Sequence, residues 1–404
     1  MISLDDIQGA REAIRPHLKK TPCVLSEPLS DQLECRLYFK FENLHRTGSF
    51  KERGALNKLL DLADTYKSAG VITASAGNHG QAVAFHATQL GLSSVVVMPE
   101  KTPLVKVSST RRWGAEVVLY GRNYGDALEK AHEIERERGS FFVHGFDDPE
   151  IIAGQGTLTV ELREEEIPCD VMLLPIGGGG LIAGNALALK ALYPKAEIYG
   201  IEPENCPSMR DALAAGHPVA VEGLPSLADG LAVKTVGKLP CEIVSREVDG
   251  FYLVSEEEIA NAILVLLEVE KSVVEGAGAA SFAALLNREE LRRNVRGKDV
   301  VVPLCGGNID VNLLSKIIDR GLAKDGRLGR FRVVVPDQPG SLTSVTERIA
   351  RGGGNILDIF HTRALADTQV GEVAIDVVVE TRGRDHLEAL RKALTEAGIR
   401  LEPK

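Results

Sequence analysis

The sequence predicts an α/β protein, and two observations support this fold class. Short apolar runs recur along the first three quarters of the chain, and each is followed by a helical pattern. Runs such as 95–98 and 171–174 do not alternate between apolar and polar residues. Because strands that are apolar on both faces belong in parallel sheets covered by helices, we expect open parallel sheets over most of the chain.

The clearest predicted strands of this α/β part are all short and rich in apolar or β-branched residues. They are Leu37–Phe41, Val71–Ala74, Ser94–Met98, Glu116–Leu119, Val171–Ile176, Glu197–Ile201 and Val300–Leu304. Ligands of open α/β sheets bind at the carboxyl ends of the strands. We therefore expect the functional residues in the turns that follow these strands.

The pattern changes around residues 319–330, where the sequence is polar and rich in glycine. We interpret 321–330 as a linker between a catalytic part, residues 1–320, and a small domain, residues 331–404. The small domain has a βαββαβ pattern, which is typical of a ferredoxin-like arrangement. Its predicted elements are a strand at Arg332–Val335, a helix from about Gly340 to Ala350, strands at Ile356–Arg363 and Gly371–Val379, a helix from about Asp385 to Ala397, and a strand at Ile399–Leu401.

Composition and charge argue against several classes of partner. The net charge of −10 gives no basic surface for nucleic acid or for an anionic membrane. No apolar run approaches the roughly 18 residues that a membrane span needs, and the N-terminus carries early acids, so we expect no signal peptide. The six cysteines are scattered without metal-ligand spacing, which is typical of reduced thiols in a cytoplasmic protein.

Lys51 opens a predicted helix within the segment TGSFKERGA, residues 47–55. A lysine near apolar neighbours and at the positive end of a helix can have its pKa lowered. That makes Lys51 a candidate Schiff-base nucleophile. The alternative is an ordinary solvated lysine, and this segment alone does not decide between the two.

Four glycines, Gly177 to Gly180, lie between a predicted buried strand and a helix that starts near Leu181. A turn without Cβ atoms can direct several backbone N–H groups into one concavity at a helix N-terminus, which is a cradle for a phosphate. The segment has neither the lysine of a P-loop nor the spacing of a dinucleotide fingerprint. The alternative is a merely tight turn.

Two further turns follow predicted strands. Residues 73–81, TASAGNHGQ, would receive a substrate carboxylate, although Ser75 or Asn78 could instead be an ordinary helix cap. Residues 302–308, VPLCGGN, place Cys305 at the carboxyl edge of a strand, where ligands bind. Taken alone, Cys305 is equally consistent with an inert buried cysteine.

Together these four segments resemble the fold-type II pyridoxal-phosphate (PLP) enzymes, and within them the threonine/serine dehydratases. The resemblance covers about residues 5–320. It implies two open parallel-sheet α/β subdomains, with the smaller one, about residues 45–145, inserted in the larger. By this resemblance Lys51 forms the Schiff base with PLP.

The same resemblance assigns the other contacts. The residues that would touch PLP are Phe50 near the ring, Asn78 at its 3-hydroxyl, Gly177, Gly178, Gly179, Gly180 and Leu181 at the phosphate, and Cys305 at the pyridine nitrogen. The residues that would contact the substrate are Ser75, Ala76, Gly77, Asn78 and His79. Relatives more often have serine at the position of Cys305.

The reaction implied is the conversion of L-threonine to 2-oxobutanoate and ammonia, and of L-serine to pyruvate. Serine racemases look similar but have a serine at the position of Ala76, so we expect elimination here. Racemases also hold a divalent cation with a glutamate and an aspartate six residues later. This chain has Glu202 but Ser208, so we expect no strong metal site, and Glu202 is only a weak candidate ligand.

The small domain resembles an ACT domain, whose first turn matches residues 335–342. That resemblance implies an amino-acid effector, isoleucine or valine, at a site formed by Asp337, Gly340, Ser341 and Asn355. ACT domains usually pair edge to edge, so we expect a homodimer or homotetramer. The alternative is an ACT domain used only for dimerisation.

A protein of another class, an amino-acid sensor that keeps PLP as a vestige, would share the same two parts. Intact Lys51, Asn78, the glycine loop and Cys305 favour the enzyme. The sequence leaves open the preference between threonine and serine, and a biosynthetic or catabolic role.

Overall fold

The computed structural model describes residues 2–362 and 368–402. The chain divides into two compact units between Ile309 and Asp310. The first contains two sheets with parallel strands, and the second contains one antiparallel sheet. The α/β class is therefore confirmed. Arg363, the last residue of one predicted strand, lies outside the described residues.

The elements of the larger unit are numbered in chain order. Strands β1–β10 are Cys23–Leu25, Arg36–Lys40, Val71–Ala74, Ser94–Met98, Glu116–Leu119, Phe141–Phe142, Val171–Pro175, Glu197–Pro203, Gly250–Val254 and Asp299–Pro303. Helices α1–α13 are Leu4–Ile14, Glu27–Leu33, Lys51–Leu62, Asn78–Gln89, Leu104–Arg112, Tyr124–Arg138, Pro149–Glu164, Gly180–Leu192, Ser208–Ala215, Lys238–Glu247, Glu256–Val269, Gly276–Asn287 and Glu289–Val295. Short 3₁₀ helices cover Glu42–Leu44 and Asp229–Leu231.

All seven predicted strands of the larger unit are present, with ends that differ by at most two residues. One sheet has the strand order β1-β2-β10-β7-β8-β9 and is parallel except for the edge strand β1. The other has the order β5-β4-β3-β6 and is parallel throughout. Every residue of β4, β7 and β10 is buried, which accounts for their continuous apolar sequences.

Three helices of the larger unit touch through their backbones at glycines. A Cβ atom on Gly154 of α7 would lie 2.6 Å from the Cα of Gly54 in α3, and one on Gly156 would lie 2.6 Å from the carbonyl oxygen of Gly184 in α8. Such distances are below any real Cβ contact. Glycine is therefore required at these crossings, and α3, α7 and α8 form one closely spaced stack.

The smaller unit has the predicted βαββαβ order after one additional helix. Its elements are α14 (Val311–Lys324), β11 (Leu328–Pro336), α15 (Ser341–Arg351), β12 (Asn355–Thr362), β13 (Glu372–Glu380), α16 (Arg384–Glu396) and β14 (Arg400–Leu401). The sheet is antiparallel with the order β12-β13-β11-β14. Alternate residues of β11, namely Phe331, Val333 and Val335, lie in a single apolar core with residues of α15, β13 and α16.

The predicted linker at 321–330 is wrong in its extent. Helix α14 continues to Lys324, and β11 begins at Leu328, which pairs with Glu380. Only residues 325–327 connect them, and Gly326 makes the turn with a φ of 71°. The polar residues that suggested a linker belong to a helix with one buried side chain, Ile317, and to the exposed positions of a strand.

Among the residues that the structure describes, no helix has both the length and the apolar character needed to cross a bilayer.

Candidate active site

Two loops of the larger unit meet at the carboxyl end of β10. Ser49 forms an isolated antiparallel bridge with Gly306, and the N–H of Phe50 donates to the carbonyl oxygen of Cys305 at 3.0 Å. The N–H of Gly307 donates to the carbonyl oxygen of Gly48 at 2.9 Å. These contacts place the lysine segment and the cysteine segment, predicted separately, side by side.

Lys51 is the first residue of α3. Its Nζ donates to the carbonyl oxygen of Gly145 at 2.8 Å and lies 5.2 Å from the centroid of the Phe50 ring. The residue as a whole is half-buried, but protein surrounds its amine, and this burial lowers the pKa of Lys51 to about 8. A substantial fraction of the amine is therefore neutral near physiological pH, as nucleophilic attack requires.

Asn78, the first residue of α4, is the centre of a hydrogen-bond chain. Its Nδ2 donates to Oε1 of Glu275 at 2.6 Å, and its Oδ1 accepts from Nδ2 of Asn308 at 2.8 Å. The same Asn308 nitrogen donates to the carbonyl oxygen of Thr47 at 2.7 Å. These hydrogen bonds therefore join four segments of the chain, and sequence reasoning assigned no role to Glu275 or Asn308.

The glycine loop, Gly177–Gly180, passes from β7 into α8. Gly179 has a φ of 93°, which favours glycine, and precedes the first turn of α8, where Leu181 is buried. A Cβ atom on Gly178 would lie 2.2 Å from the ring of Phe146, and one on Gly180 would lie 2.9 Å from its carbonyl oxygen. The first N–H groups of a helix have no partner within the helix. The start of α8 therefore offers N–H donors of the kind that a phosphate needs.

The predicted substrate loop, Ser75–Gly77, is half-buried and follows β3 directly. The N–H of Gly77 donates to Oγ of Ser75 at 3.3 Å. Ala76 packs against a small apolar cluster that includes Val96 and Met98. Its side chain is a methyl group, which cannot donate a proton.

His79, also predicted to contact substrate, points into the protein. Its Nε2 lies 3.1 Å from the carbonyl oxygen of Val143. Burial, reinforced by the charge of Lys51, lowers the pKa of His79 to about 3. The imidazole is therefore neutral and donates to Val143, and it packs behind the segment whose Gly145 carbonyl accepts from Lys51.

Cys305 is 2% exposed, and its Sγ lies 3.4 Å from the carbonyl oxygen of Pro303. Burial, together with the carboxylates of Glu42 and Glu275, raises the pKa of the thiol well above its ordinary value. Cys305 is therefore neutral, and it packs in the same apolar cluster as Phe50.

Glu202 stabilises a helix end in this structure. Its carboxylate accepts the N–H groups of Met209 at 2.7 Å and of Arg210 at 2.9 Å, in the first turn of α9. Burial raises the pKa of Glu202 to about 7. Within residues 2–362 and 368–402, no three His, Cys, Asp or Glu side chains cluster as a metal site requires.

A buried group of charges lies behind Lys51, and sequence reasoning missed it. The guanidinium of Arg53 donates to Glu42 at 2.6 and 2.7 Å and to Glu161 at 2.8 and 3.0 Å. Lys40 also pairs with Glu161, at 2.9 Å, and all four side chains are fully buried. The only sequence signal is that Arg53 follows Lys51 by two residues on α3. Its two carboxylates come from distant segments.

The predicted effector residues of the smaller unit do not all come together. Gly340 has a φ of 93° and precedes α15, which begins at Ser341, next to Asp337 at the end of β11. Asn355 lies at the other end of the sheet, where it is level with Glu380 and donates to its carboxylate at 3.0 Å. The expectation that Asn355 reaches the same ligand is therefore wrong within one copy, because β12 runs in the same direction as β11 and begins at the opposite end.

Several known proteins are similar to this chain over most of its length. The family described as "Pyridoxal-phosphate dependent enzyme" matches residues 14–306. An L-threonine ammonia-lyase of Thermotoga maritima is 42% identical over 98% of this chain and 98% of its own. The catabolic L-threonine dehydratase TdcB of Escherichia coli K12 is 41% identical over 78% of this chain and 96% of its own. The structure of maize serine racemase has a TM-score of 0.74 and 31% identity, over 80% of this chain and 98% of that one.

Proposed function

This chain belongs to the family of pyridoxal-phosphate-dependent enzymes, and from that premise we propose that it is a threonine/serine dehydratase. It converts L-threonine to 2-oxobutanoate and ammonia, and L-serine to pyruvate, by α,β-elimination in the cytoplasm. The observation that carries the proposal is the Lys51 amine, whose pKa burial lowers to about 8 and which donates to the carbonyl oxygen of Gly145, next to the Phe146 that touches the glycine loop. The two relatives named for threonine chemistry support the substrate.

The residues present fit the cofactor. The start of α8 supplies N–H donors for a phosphate, and glycines at 177–180 let the loop pass there because protein atoms already occupy the space of their Cβ atoms. Cys305 offers a neutral group for the pyridine nitrogen, and Asn78 offers an amide for the 3-oxygen. When bound, PLP supplies an electron sink for the charge that develops at the substrate Cα.

The other roles in the reaction fall to residues of the chain itself. The amine of Lys51 would hold the cofactor before substrate binds and would remove the Cα proton of the bound substrate. The neutral thiol of Cys305 does not favour a protonated ring nitrogen, as a carboxylate would. Loss of the β-hydroxyl is therefore favoured over long-lived charge at Cα. The loop at Ser75–Gly77 would bind the substrate carboxylate, with the N–H of Ala76 as the candidate donor, because the N–H groups of Ser75 and Gly77 donate to the Val97 carbonyl oxygen and to Oγ of Ser75.

Ala76 supports elimination over racemisation. Racemisation needs an acid on the face of Cα opposite Lys51, and the methyl group of Ala76 cannot supply a proton. The likeness to a serine racemase structure makes this the relevant competing activity. We expect D-serine to be absent, or a trace, after incubation with L-serine, and we expect Ala76→Ser to raise it.

The test is to compare Lys51→Ala with Lys67→Ala, a control at an exposed lysine of the same unit. Purified protein is titrated with PLP and assayed with L-threonine for 2-oxobutanoate. We expect Lys51→Ala to lose the visible absorbance of the bound cofactor and nearly all turnover, whereas Lys67→Ala resembles the wild type. Retained turnover in Lys51→Ala, or racemisation as fast as deamination in the wild type, contradicts the proposal.

We also propose that the smaller unit is an ACT domain that binds isoleucine or valine and regulates the larger unit. Support comes from its βαββαβ order and from the turn at Asp337–Ser341, where a helix N-terminus can receive a carboxylate. Strand β12 is an open edge of the sheet, and it exposes Leu357 by 50% and Phe360 by 55%. An open, apolar edge strand favours pairing with a second copy.

Antiparallel pairing of two β12 strands, one from each copy, would also give Asn355 a place in the proposed effector site. Each β12 begins at the end of the sheet opposite the Asp337 turn, so antiparallel pairing brings Asn355 of one copy towards the Asp337 turn of the other. The effector site would then form only in a homodimer or larger assembly. Coupling of about 1–3 kcal/mol between effector and substrate is typical of such regulation.

The test of regulation uses the full chain. Isoleucine and valine are titrated by calorimetry into the wild type, Asn355→Ala and the control Asn294→Ala in the larger unit, and threonine kinetics are measured at saturation. We expect binding that Asn355→Ala weakens and Asn294→Ala does not. If the wild type binds neither amino acid and its kinetics do not change, only the dimerisation role survives.

A further inference from the structure

Glu275 is a buried carboxyl group of the larger unit that has no role in the proposed reaction. Glu275 is 6% exposed and lies immediately before α12. Its N–H donates to the carbonyl oxygen of Gly306 at 2.9 Å, and a Cβ atom on Gly306 would lie 2.2 Å from its Oε1. Only glycine at 306 therefore lets this carboxyl approach Asn78.

The orientation of the Asn78 amide follows from its partners. The carbonyl oxygen of Thr47 can only accept, so the atom of Asn308 that lies 2.7 Å from it is the nitrogen. That nitrogen lies 2.8 Å from one terminal atom of Asn78, which must therefore be the oxygen. The other terminal atom of Asn78 is the nitrogen, and it faces Glu275 at 2.6 Å.

A primary amide has two N–H groups, and one of those on Asn78 is taken by Glu275. The other remains for the cofactor, and a donor at the 3-oxygen favours the ionised form of that oxygen. If the amide rotated by half a turn, it would offer an acceptor instead. The acceptor at Glu275 and the donor at Asn308 together make that rotation unfavourable.

We propose that Glu275 is a positioning residue, which accepts one N–H of Asn78 and so holds this amide with its second N–H available to the 3-oxygen of the cofactor. The inference rests on the proposed function, because it needs PLP at this site. Glu275 acts through Asn78 and has no assigned contact with substrate.

The charges around Glu275 make its ionisation measurable. Asp229 from the 3₁₀ helix and Lys106 from α5 are titratable groups that influence Glu275, and the charge of Glu275 in turn raises the pKa of Cys305 at the end of β10. Burial first, and then the charge of Asp229, raise the pKa of Glu275 to about 7. Lys106, whose Nζ lies 2.5 Å from Asp229, opposes this shift. Glu275 is therefore protonated below about pH 7 and ionised above it, while it accepts from Asn78 in both states.

The first experiment is a double-mutant cycle on cofactor affinity. Apoprotein of the wild type, Glu275→Ala, Asn78→Ala and the double variant is titrated with PLP. We expect each single variant to bind about tenfold more weakly, which is the usual effect of one lost hydrogen bond to a charged or buried group. Because Glu275 acts through Asn78, the double variant should bind no more weakly than Asn78→Ala alone. A double variant with the product of the two losses overturns the proposal.

The second experiment keeps the shape of the side chain and removes its charge. Glu275→Gln retains an acceptor for Asn78, so its PLP affinity should lie within about threefold of the wild type, as for a conserved hydrogen bond. The visible absorbance of bound PLP should change near pH 7 in the wild type and lose that step in Glu275→Gln. A Glu275→Gln protein that binds PLP about tenfold more weakly than the wild type, although it keeps an acceptor for Asn78, overturns the proposal, even if Glu275→Ala fails to fold.

Ser281→Ala is the matched control, because Ser281 is a buried hydroxyl on the same helix, α12. It should leave PLP affinity and the pH step unchanged, and a loss equal to that of Glu275→Ala would show a general effect of altering α12 and overturn the proposal. The proposed function fails in a different way. A wild-type protein that binds no PLP refutes it before any variant is compared.

Discussion

The two units of the molecule place their charges differently. In the larger unit, Arg53, Lys40, Glu42 and Glu161 form ion pairs between fully buried side chains, and Arg53 follows Lys51 by two residues on α3. Each ion pair described in the smaller unit has at least one exposed partner, as in Arg351–Glu347 and Arg330–Asp376, and its core is apolar. Surface pairs contribute little to stability, whereas buried charges are costly to separate. The difference indicates that the larger unit retains buried charges to hold α3 in place.

The largest effect should follow from breaking the buried group. Arg53→Met leaves two carboxylates buried without their main partner, and such a change costs about 3–5 kcal/mol of unfolding free energy. The control, Arg351→Met in the smaller unit, should change the free energy of unfolding by less than about 0.5 kcal/mol. Denaturant unfolding of both proteins measures the difference. Equal, small losses would mean that the buried charges do not hold α3.

A smaller effect is expected from the apolar core of the other unit. Leu390 of α16 is 2% exposed, and Leu390→Ala should cost about 3 kcal/mol through lost burial and a cavity. Calorimetry should show this loss as a lower unfolding temperature of the smaller unit. Threonine turnover without effector should remain at the wild-type level, because Leu390 packs in the apolar core of the smaller unit, which is separate from the unit that carries Lys51. A matching loss of turnover would contradict the separation of roles.

The smallest effect should come from a buried group of the larger unit that carries no charge. Cys305→Ser keeps a neutral side chain near the carbonyl oxygen of Pro303, so unfolding free energy should change by less than about 1 kcal/mol. Cys305→Asp should instead slow elimination, because its carboxylate favours a protonated pyridine nitrogen. Stopped-flow spectra with L-serine distinguish the two variants. Identical rates and spectra in both would mean that Cys305 does not face the ring.

The sequence predicted the strands of the larger unit well because continuous apolar runs report burial on both faces. It also predicted correctly that Lys51, Asn78, Cys305 and the glycine loop each follow a strand or open a helix. It did not reveal Glu275, because a buried carboxyl cannot be recognised until the chain brings Asn78 and Gly306 around it. For the same reason the partners of Arg53, which come from distant segments, were missed.

The smaller unit shows the opposite limits. Its order of elements was predicted because alternating apolar residues and helical periods are local signals. The linker was wrong because a polar, glycine-rich segment is also compatible with the exposed parts of α14 and β11. The position of Asn355 was wrong because strand direction within the sheet sets which residues are level with each other, and no local pattern near Asn355 reports that direction.

The glycine crossings of α3, α7 and α8 have a consequence for ligand selection. In the proposed cofactor site, α3 would carry the amine at one end and α8 the phosphate-binding loop at the other. Since backbone touches backbone at Gly54–Gly154 and Gly156–Gly184, no side chain can rearrange to widen this span. The proposed site would therefore select ligands by their length. An analogue with one additional methylene between ring and phosphate should not bind, even though the analogue carries the same polar groups as PLP.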